Sequence, residues 1–341
     1  MSCESSLACS HRFLGRPRRG QNSTQCCFAA LALAGRFFMP AVSVIIPTRG
    51  RDACLRQTLV DLGRQNFTDF DVWVVDQNDA PLTGLGAPLG KIPIHHEKMP
   101  PLGSHAGRNR AIFKTQAPIC VFVDDDVRLD GGFVGAHQQA LAALDTNVAA
   151  VAGRVIQPKD GLSEREMQTR GRPARYNRIL GTVSGNFFGT RGAFVDHIHE
   201  CNFSARTSAL REIGGFSEEF KGNAYFEGAD LALKLIERGY RALYRPEIAL
   251  THLQDGAGGN RVAEKARHTY WLMRNQGLLN SLHMNPLGIP AFAAYGLAYV
   301  LGKALVNRDP SIAREGLRGL RDGLAYFIKK FLFWRKGGRE L

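Results

Sequence analysis

The stretch AVSVIIPT at residues 41–48 constrains the fold more than any other part of this 341-residue chain. A strand with one wet face alternates apolar and polar side chains. A run that stays apolar belongs to a strand covered on both faces, the situation of a parallel sheet with helices above and below. Three more such runs follow: DVWVVD at 71–76, ICVFV at 119–123 and VAAVAGRVI at 148–156. Between the first two, Leu55, Leu59 and Leu62 recur at helical spacing and predict a helix over 52–65. Further helices are predicted over 103–115, with Ala106, Ala111 and Ile112 inward, and over 132–144. Residues 77–93 carry Pro81, Pro88 and Pro93 and read as a loop. Strands alternating with helices predict a doubly wound α/β sheet.

The pattern changes after residue 156. Residues 157–190 are polar and rich in Gly and Arg, and read as a long loop or a partly ordered excursion over a face, of the kind that is functional or disordered in compact domains. HECNFSA reads as a short strand, 207–213 as a short helix and 227–238 as an amphipathic helix with Leu231, Leu235 and Ile236. YRALYRP and EIALTHL read as two strands, and the chain beyond Arg261 as helical. Residues 287–306 are apolar apart from Lys303, but Gly288, Pro290, Gly296, Gly302 and that lysine weigh against a membrane span. The final helix, 311–334, mixes Arg314, Arg318, Arg321, Lys329 and Lys330 with Leu317, Leu320, Leu324, Phe327, Phe331, Phe333 and Trp334. It fits either an interfacial membrane helix or a helix packed on the preceding domain. Residues 1–38 hold five arginines against Glu4 alone, and Met39-Pro40 stands directly before the first strand. They read as a disordered or spurious extension, giving segments 1–38, 39–260 and 261–341.

Lys and Arg number 44 against 31 Asp and Glu, a formal charge of +13, which calls for an anionic partner: nucleic acid, a membrane surface or a phosphorylated substrate. The seven cysteines form no CxxC pair, so neither a zinc ribbon nor a disulfide framework is expected, and reduced thiols suit a cytoplasmic protein. Neither GxGxxG nor GxxxxGK[ST] occurs after the first strand, which disfavours a nicotinamide dehydrogenase or a P-loop enzyme.

The chemistry gathers where ICVFV ends in Asp124, Asp125 and Asp126. Ligands bind at the carboxyl ends of parallel strands. Carboxylates clustered there repel one another unless a cation offsets them, and a hard divalent ion such as Mg²⁺ or Mn²⁺ suits that task. Pro47, Thr48 and Asp76 end neighbouring strands on the same edge, and Asp76 is placed to accept from a base or ribose. Arg108 and Arg110 stand early in a helix and can reach phosphates.

Taken together, SVIIPTRGRDACLRQTL, VWVVDQND, GRNRAIFKTQAPICVFVDDDVRLD, CNFSARTSALREIGGFSEEF and FEGADLALKLIERGYR resemble the family 2 glycosyltransferases of GT-A fold, over Ala41 to His252. The resemblance implies a Rossmann-like, mostly parallel sheet flanked by helices, followed here by a C-terminal helical extension. It implies that Pro47, Thr48 and Arg49 cradle the nucleotide, that Asp76 contacts the base, and that Arg108 is the arginine of the "ARN" element. It maps the DxD element onto Asp124 and Asp126 with Asp125 between, the last acid being the usual metal ligand, and puts His252 near metal or diphosphate. The family's "ED-x-D-L" element, whose second acid serves as base, reads Glu227-Gly228-Ala229-Asp230-Leu231. Gly228 can do no proton chemistry, so the role falls to Glu227, here favoured, or to Asp230.

The implied activity is inverting, metal-dependent transfer (Mn²⁺ or Mg²⁺) from a nucleotide sugar to a glycan or lipid-linked acceptor in cell-surface polysaccharide synthesis. Location is expected to be cytoplasmic, extending to peripheral contact at the inner face of the membrane, with no nucleic-acid partner. The alternative that Gly228 raises is a non-catalytic nucleotide-sugar or glycan-binding protein.

Overall fold

The computed structural model describes residues 39–254 and 264–335, so the expectation for residues 1–38 lies outside the described residues. In chain order the elements are β1 (Val42–Thr48), α1 (Asp52–Gly63), β2 (Phe70–Asp76), β3 (Ile94–Lys98), α2 (Ser104–Ile112), β4 (Ile119–Val123), β5 (Val127–Arg128), α3 (Phe133–Ala142), β6 (Val148–Ile156), α4 (Glu164–Arg170), β7 (Arg175–Asn177), β8 (Thr182–Ser184), β9 (Ala193–Val195), β10 (Asn202–Arg206), α5 (Thr207–Glu212), α6 (Glu227–Glu237), β11 (Arg241–His252), α7 (Lys265–His283), α8 (Ile289–Asn307) and α9 (Pro310–Arg335). Every residue of β1, β2 and β4 is buried, as their continuous apolar runs require. Alternate residues serve opposite faces. Val42, Val44 and Ile46 pack with Leu55, Leu59 and Leu62 of α1, whereas Ile45 packs with Ala111 and Ile112 of α2.

Strand order is β3-β2-β1-β4-β10-β6-β11-β5, with β9 beside β11. The chain leaves β1 outward through β2 and β3, then returns to place β4 on the other side of β1, both pairings parallel. The carboxyl ends of β1 and β4 therefore meet at a topological switch point, the position at which open α/β sheets bind ligands.

The sheet is more mixed than expected. β10 runs antiparallel between β4 and β6, and β5 and β9 run antiparallel to β11. Double-sided burial is legible as an apolar run, but strand direction leaves no such trace. The two strands expected over 240–253 are one, β11, whose register breaks between Arg245 and Ala249. Pro246 lies in that break, where its missing N–H removes a ladder bond. β3 escaped the pattern because IHHEK is a half-exposed edge strand with no apolar alternation. The 157–190 excursion is ordered in part: α4 opens with a Ser163–Glu166 capping box, and β7 pairs with β8.

The helices beyond residue 264 share a core with α6. Phe220, Ala229 and Leu233 pack with Met273, Phe292 and Leu320. α7 and α9 approach closely at glycines: a Cβ on Gly277 would lie 2.3 Å from the Cα of Gly323. α8 is long and apolar enough to cross a membrane, and only 22% of its most apolar window is buried. Its outer side shows Leu297, Leu301, Leu305 and Val306 to solvent.

Candidate active site

A cleft of about 540 Å³ opens at the switch point, with Pro47, Thr48 and Arg49 from the end of β1 and Asp124 from the end of β4 in its wall. The three aspartates point different ways. Asp125 is wholly buried; it accepts from Thr48 Oγ1 at 2.7 Å and pairs with Arg51 Nη2 at 2.8 Å. Asp126 is also buried and accepts from Arg51 Nη1 at 2.9 Å. Burial works against a charge on Arg51, but Asp125, Asp126 and Asp124 outweigh it and raise the guanidinium's pKa. A residue of the chain itself thus supplies one cation that the acidic triplet demands.

A second group converges from the other side. His252 Nε2, at the end of β11, lies 3.2 Å from Asp126 Oδ1 and 3.9 Å from Asp124 Oδ2. One ligand atom from each of Asp124, Asp126 and His252 falls within 4.8 Å of the others. Two carboxylates and one imidazole form a mainly hard donor set that fits a divalent ion of the Mg²⁺ or Mn²⁺ class. Because Arg51 already offsets part of the acids' charge, the fit rests on this convergence rather than on charge alone.

The far wall is built by α2 and the start of α6. Arg108 is buried; its Nη2 donates to Asp124 Oδ1 at 2.9 Å and its Nη1 to Glu227 Oε1. Burial opposes the charge on Arg108, but Glu227 and Asp124 prevail and raise its pKa. Ser104 Oγ donates to the same Glu227 oxygen at 3.4 Å, and His105 Nδ1 lies 3.4 Å from the other. The approach to α6 is strained, since Ala224 (φ 54°) and Phe226 (φ 73°) both hold left-handed backbone although neither is glycine. Glu200, just before β10, reaches the first turn of α6, where its Oε1 accepts from Gly228 N–H at 2.6 Å. Burial, and then the neighbouring Glu227 carboxylate, hold the Glu200 carboxyl well above the ordinary carboxylate range, with Arg108 as partial offset. His197 and His199 join the wall, and burial lowers their pKa values to about 3 and about 4.

Residues 43–204 match the family model described as Glycosyl transferase family 2. They belong to glycosyltransferase family 2. The pre-mycofactocin glycosyltransferase of Mycobacterium tuberculosis is 27% identical over 221 residues, which are 62% of this chain and 42% of the relative. The GalNAc(5)-diNAcBac-PP-undecaprenol beta-1,3-glucosyltransferase of Campylobacter jejuni is 24% identical over 195 residues, 54% of this chain and 57% of the relative. The chain thus spans about half the length of the curated relatives it matches. Among solved structures, S. aureus TarS 1-349 in complex with UDP-GlcNAc superposes with a TM-score of 0.52 at 16% identity, over 88% of this chain and 93% of that one. That likeness supports the GT-A fold for this chain.

The structure brings Pro47, Thr48, Arg49, Arg108, Asp124, Glu227 and His252 to one cleft. It sets five other residues apart from the cleft wall, among them Asp126, which is wholly buried and reaches His252 from beneath the floor. Asp76 is wholly buried, and its oxygens accept from Asn78, Leu82 and His96; burial opposes its charge, but those donors outweigh it and lower its pKa. It secures the loop after β2, and Gln77 lines the cleft instead. Asp125 is held beneath the floor by Thr48 and Arg51. Asp230 turns away from Glu227, accepting from His283 Nε2 at 2.9 Å and lying 3.4 Å from Lys234. Arg110 pairs with Glu97 at the surface. Sequence reasoning missed Arg51 and Glu200. Arg51 had a signal, as a cation three residues past the strand end beside the acids. Glu200 had none, since only the fold carries the 198–200 loop to α6.

Proposed function

We propose that this family 2 enzyme transfers a sugar, with inversion, from a nucleoside-diphosphate sugar to a hydroxyl of a glycan or lipid-linked acceptor in cell-surface polysaccharide synthesis. The observation that carries the reading is the convergence of Asp124, Asp126 and His252 at the switch-point cleft, beside Arg108. Pro47, Thr48 and Arg49 hold the nucleotide. Asp124, Asp126 and His252 are the residues that would hold a divalent cation, whose chemistry there is to offset the charge of a leaving diphosphate. Arg108, fixed between Asp124 and Glu227, presents its guanidinium to the same charge. A carboxylate in the wall formed by Glu200 and Glu227 takes the acceptor's proton.

Two observations support a lipid-linked acceptor. The Campylobacter relative is named for an undecaprenol-linked substrate. In addition, α8 exposes Leu297, Leu301 and Leu305, and α9 exposes Arg314, Arg318 and Arg321. Apolar side chains with basic neighbours suit peripheral contact with an anionic membrane, at its cytoplasmic face. Co-sedimentation with liposomes containing an anionic lipid is the expected result; a protein left wholly in the supernatant at low salt ends the membrane reading.

The transfer reading is tested by thermal denaturation with UDP-, GDP- and dTDP-sugars, each with and without Mn²⁺. A ligand that binds only the folded state raises the transition temperature. One nucleotide class should do so, and more strongly with Mn²⁺. No response to any of the panel refutes the reading. Donor binding without release of nucleoside diphosphate would instead favour the binding-protein alternative.

A further inference from the structure

We infer that Glu200 is the carboxylate that removes the acceptor's proton, occupying the space that a side chain at position 228 would fill. This assignment rests on the transfer reading above. Gly228 stands in the first turn of α6, and a Cβ built on it would lie 2.5 Å from Glu200 Oε1 and 2.3 Å from Ile198 O. The Ile198 carbonyl is backbone and bars a side chain at 228, and the Glu200 carboxylate could make room for one only by leaving its place beside Gly228. The absent side chain is therefore matched by a carboxylate delivered from another segment to the same place.

The other two acids of the region are engaged. Glu227 is tied to Arg108 and Ser104 through one oxygen and lies near His105 through the other. Protonating it would release Arg108, which the leaving diphosphate needs. Asp230 bonds His283 on the far side of α6. Glu200 has neither commitment. It lines the cleft, its side chain keeps 19% of its exposure, and its hydrogen-bond donors are two backbone N–H groups, its own and that of Gly228 at the helix N-terminus. Those donors steady the carboxylate in one orientation at the cleft, where it can accept from a substrate hydroxyl, with His199 Nδ1 3.9 Å from Oε2. The charged groups acting on Glu200 are Glu227 from α6 and Arg108 from α2; burial and Glu227 raise its proton affinity toward that of a base working near neutral pH.

In the step, the acceptor oxygen bonds to the anomeric carbon as its proton passes to Glu200. The bond from that carbon to the diphosphate oxygen breaks, and its electron pair leaves with the nucleoside diphosphate. Glu200 then returns the proton to water.

The test uses the full chain, the best-bound donor of the nucleotide-sugar panel, Mn²⁺, and water or an alkyl glycoside as acceptor, reading nucleoside diphosphate release across pH. Glu200→Gln keeps the acceptor oxygen for Gly228 N–H. It should bind donor as wild type does, turn over about 10²–10⁴-fold more slowly, and lose the acidic limb of the pH–rate profile. Glu200→Asp should keep that limb at reduced rate. Glu227→Gln should weaken donor binding and retain the limb. The assignment is overturned if Glu200→Gln turns over within about tenfold of wild type, if its loss is matched by lost donor binding, or if Glu227→Gln is the variant that loses the limb. Wild-type protein that binds no donor, or binds and releases no nucleoside diphosphate, overturns the transfer reading itself and the assignment with it.

Discussion

The two sides of the cleft gather their carboxylates in different ways. On the floor, three consecutive aspartates leave β4: Arg51 bridges Asp125 and Asp126, one cation for two acids, burial pushes the Asp125 carboxyl up to about 7, and Asp124 faces the opening. On the wall, two glutamates 27 positions apart in sequence meet at the start of α6, and Arg108 alone serves them. Both clusters hold more acids than cations, and in each a buried carboxyl is held well above the ordinary range. What separates them is access: Asp125 is sealed beneath the floor, whereas Glu200 lines the cleft.

Removing the floor's own cation is the strongest way to break this comparison. Arg51 is nearly buried and bonds two wholly buried carboxylates. Breaking a buried ion pair from one side leaves uncompensated charge and costs about 3–5 kcal/mol. Arg51→Ala should lower unfolding stability by that amount at pH 7, read from the denaturant midpoint. Mn²⁺ should restore more stability to the variant than it adds to wild type, because ion and guanidinium answer the same acids. A loss under about 1 kcal/mol would mean that Asp125 and Asp126 find water, and the contrast between floor and wall would fall.

That contrast also explains what was legible beforehand. The strands β1, β2, β4 and β6 were readable because double-sided burial writes itself into one short window of sequence. The DxD acids were readable because they are contiguous and follow such a run directly. Direction was not: β10 inserts antiparallel because the chain re-enters the sheet after the 157–201 excursion, a long-range fact with no local mark. The place of Glu200, proposed above as the base, was not readable for the same reason. Gly228 announced a vacancy in a motif, but the carboxylate lying against it comes from 28 positions earlier, and only the fold brings it to that helix end. Asp76 reads as a ligand contact from its strand end, and in the structure both its oxygens accept from neighbours in the protein: Asn78, Leu82 and His96.

The smallest expected effect sharpens the wall by separating the two acids of α6. Glu227 faces the cleft, whereas Asp230 is buried on the other side against His283, which also bonds Glu237 at 2.9 Å. Burial opposes a charge on His283, but the hydrogen bonds to Asp230 and Glu237 prevail and raise its pKa above the ordinary 6.5. A histidine whose folded pKa is raised stabilises fully below its unfolded pKa and loses that contribution as pH climbs through the folded value. Stability should therefore decline from about pH 6 upward through the folded pKa, an interval in which the paired acids remain ionised. His283→Gln should cost about 1.5–3 kcal/mol at pH 6, the scale of hydrogen bonds to charged groups, and should flatten the decline. Donor binding in the cleft should be unchanged, because this pair sits behind α6. A His283→Gln variant that kept the decline would assign it to another group, and one that lost donor binding would return Asp230 to the working side of the helix.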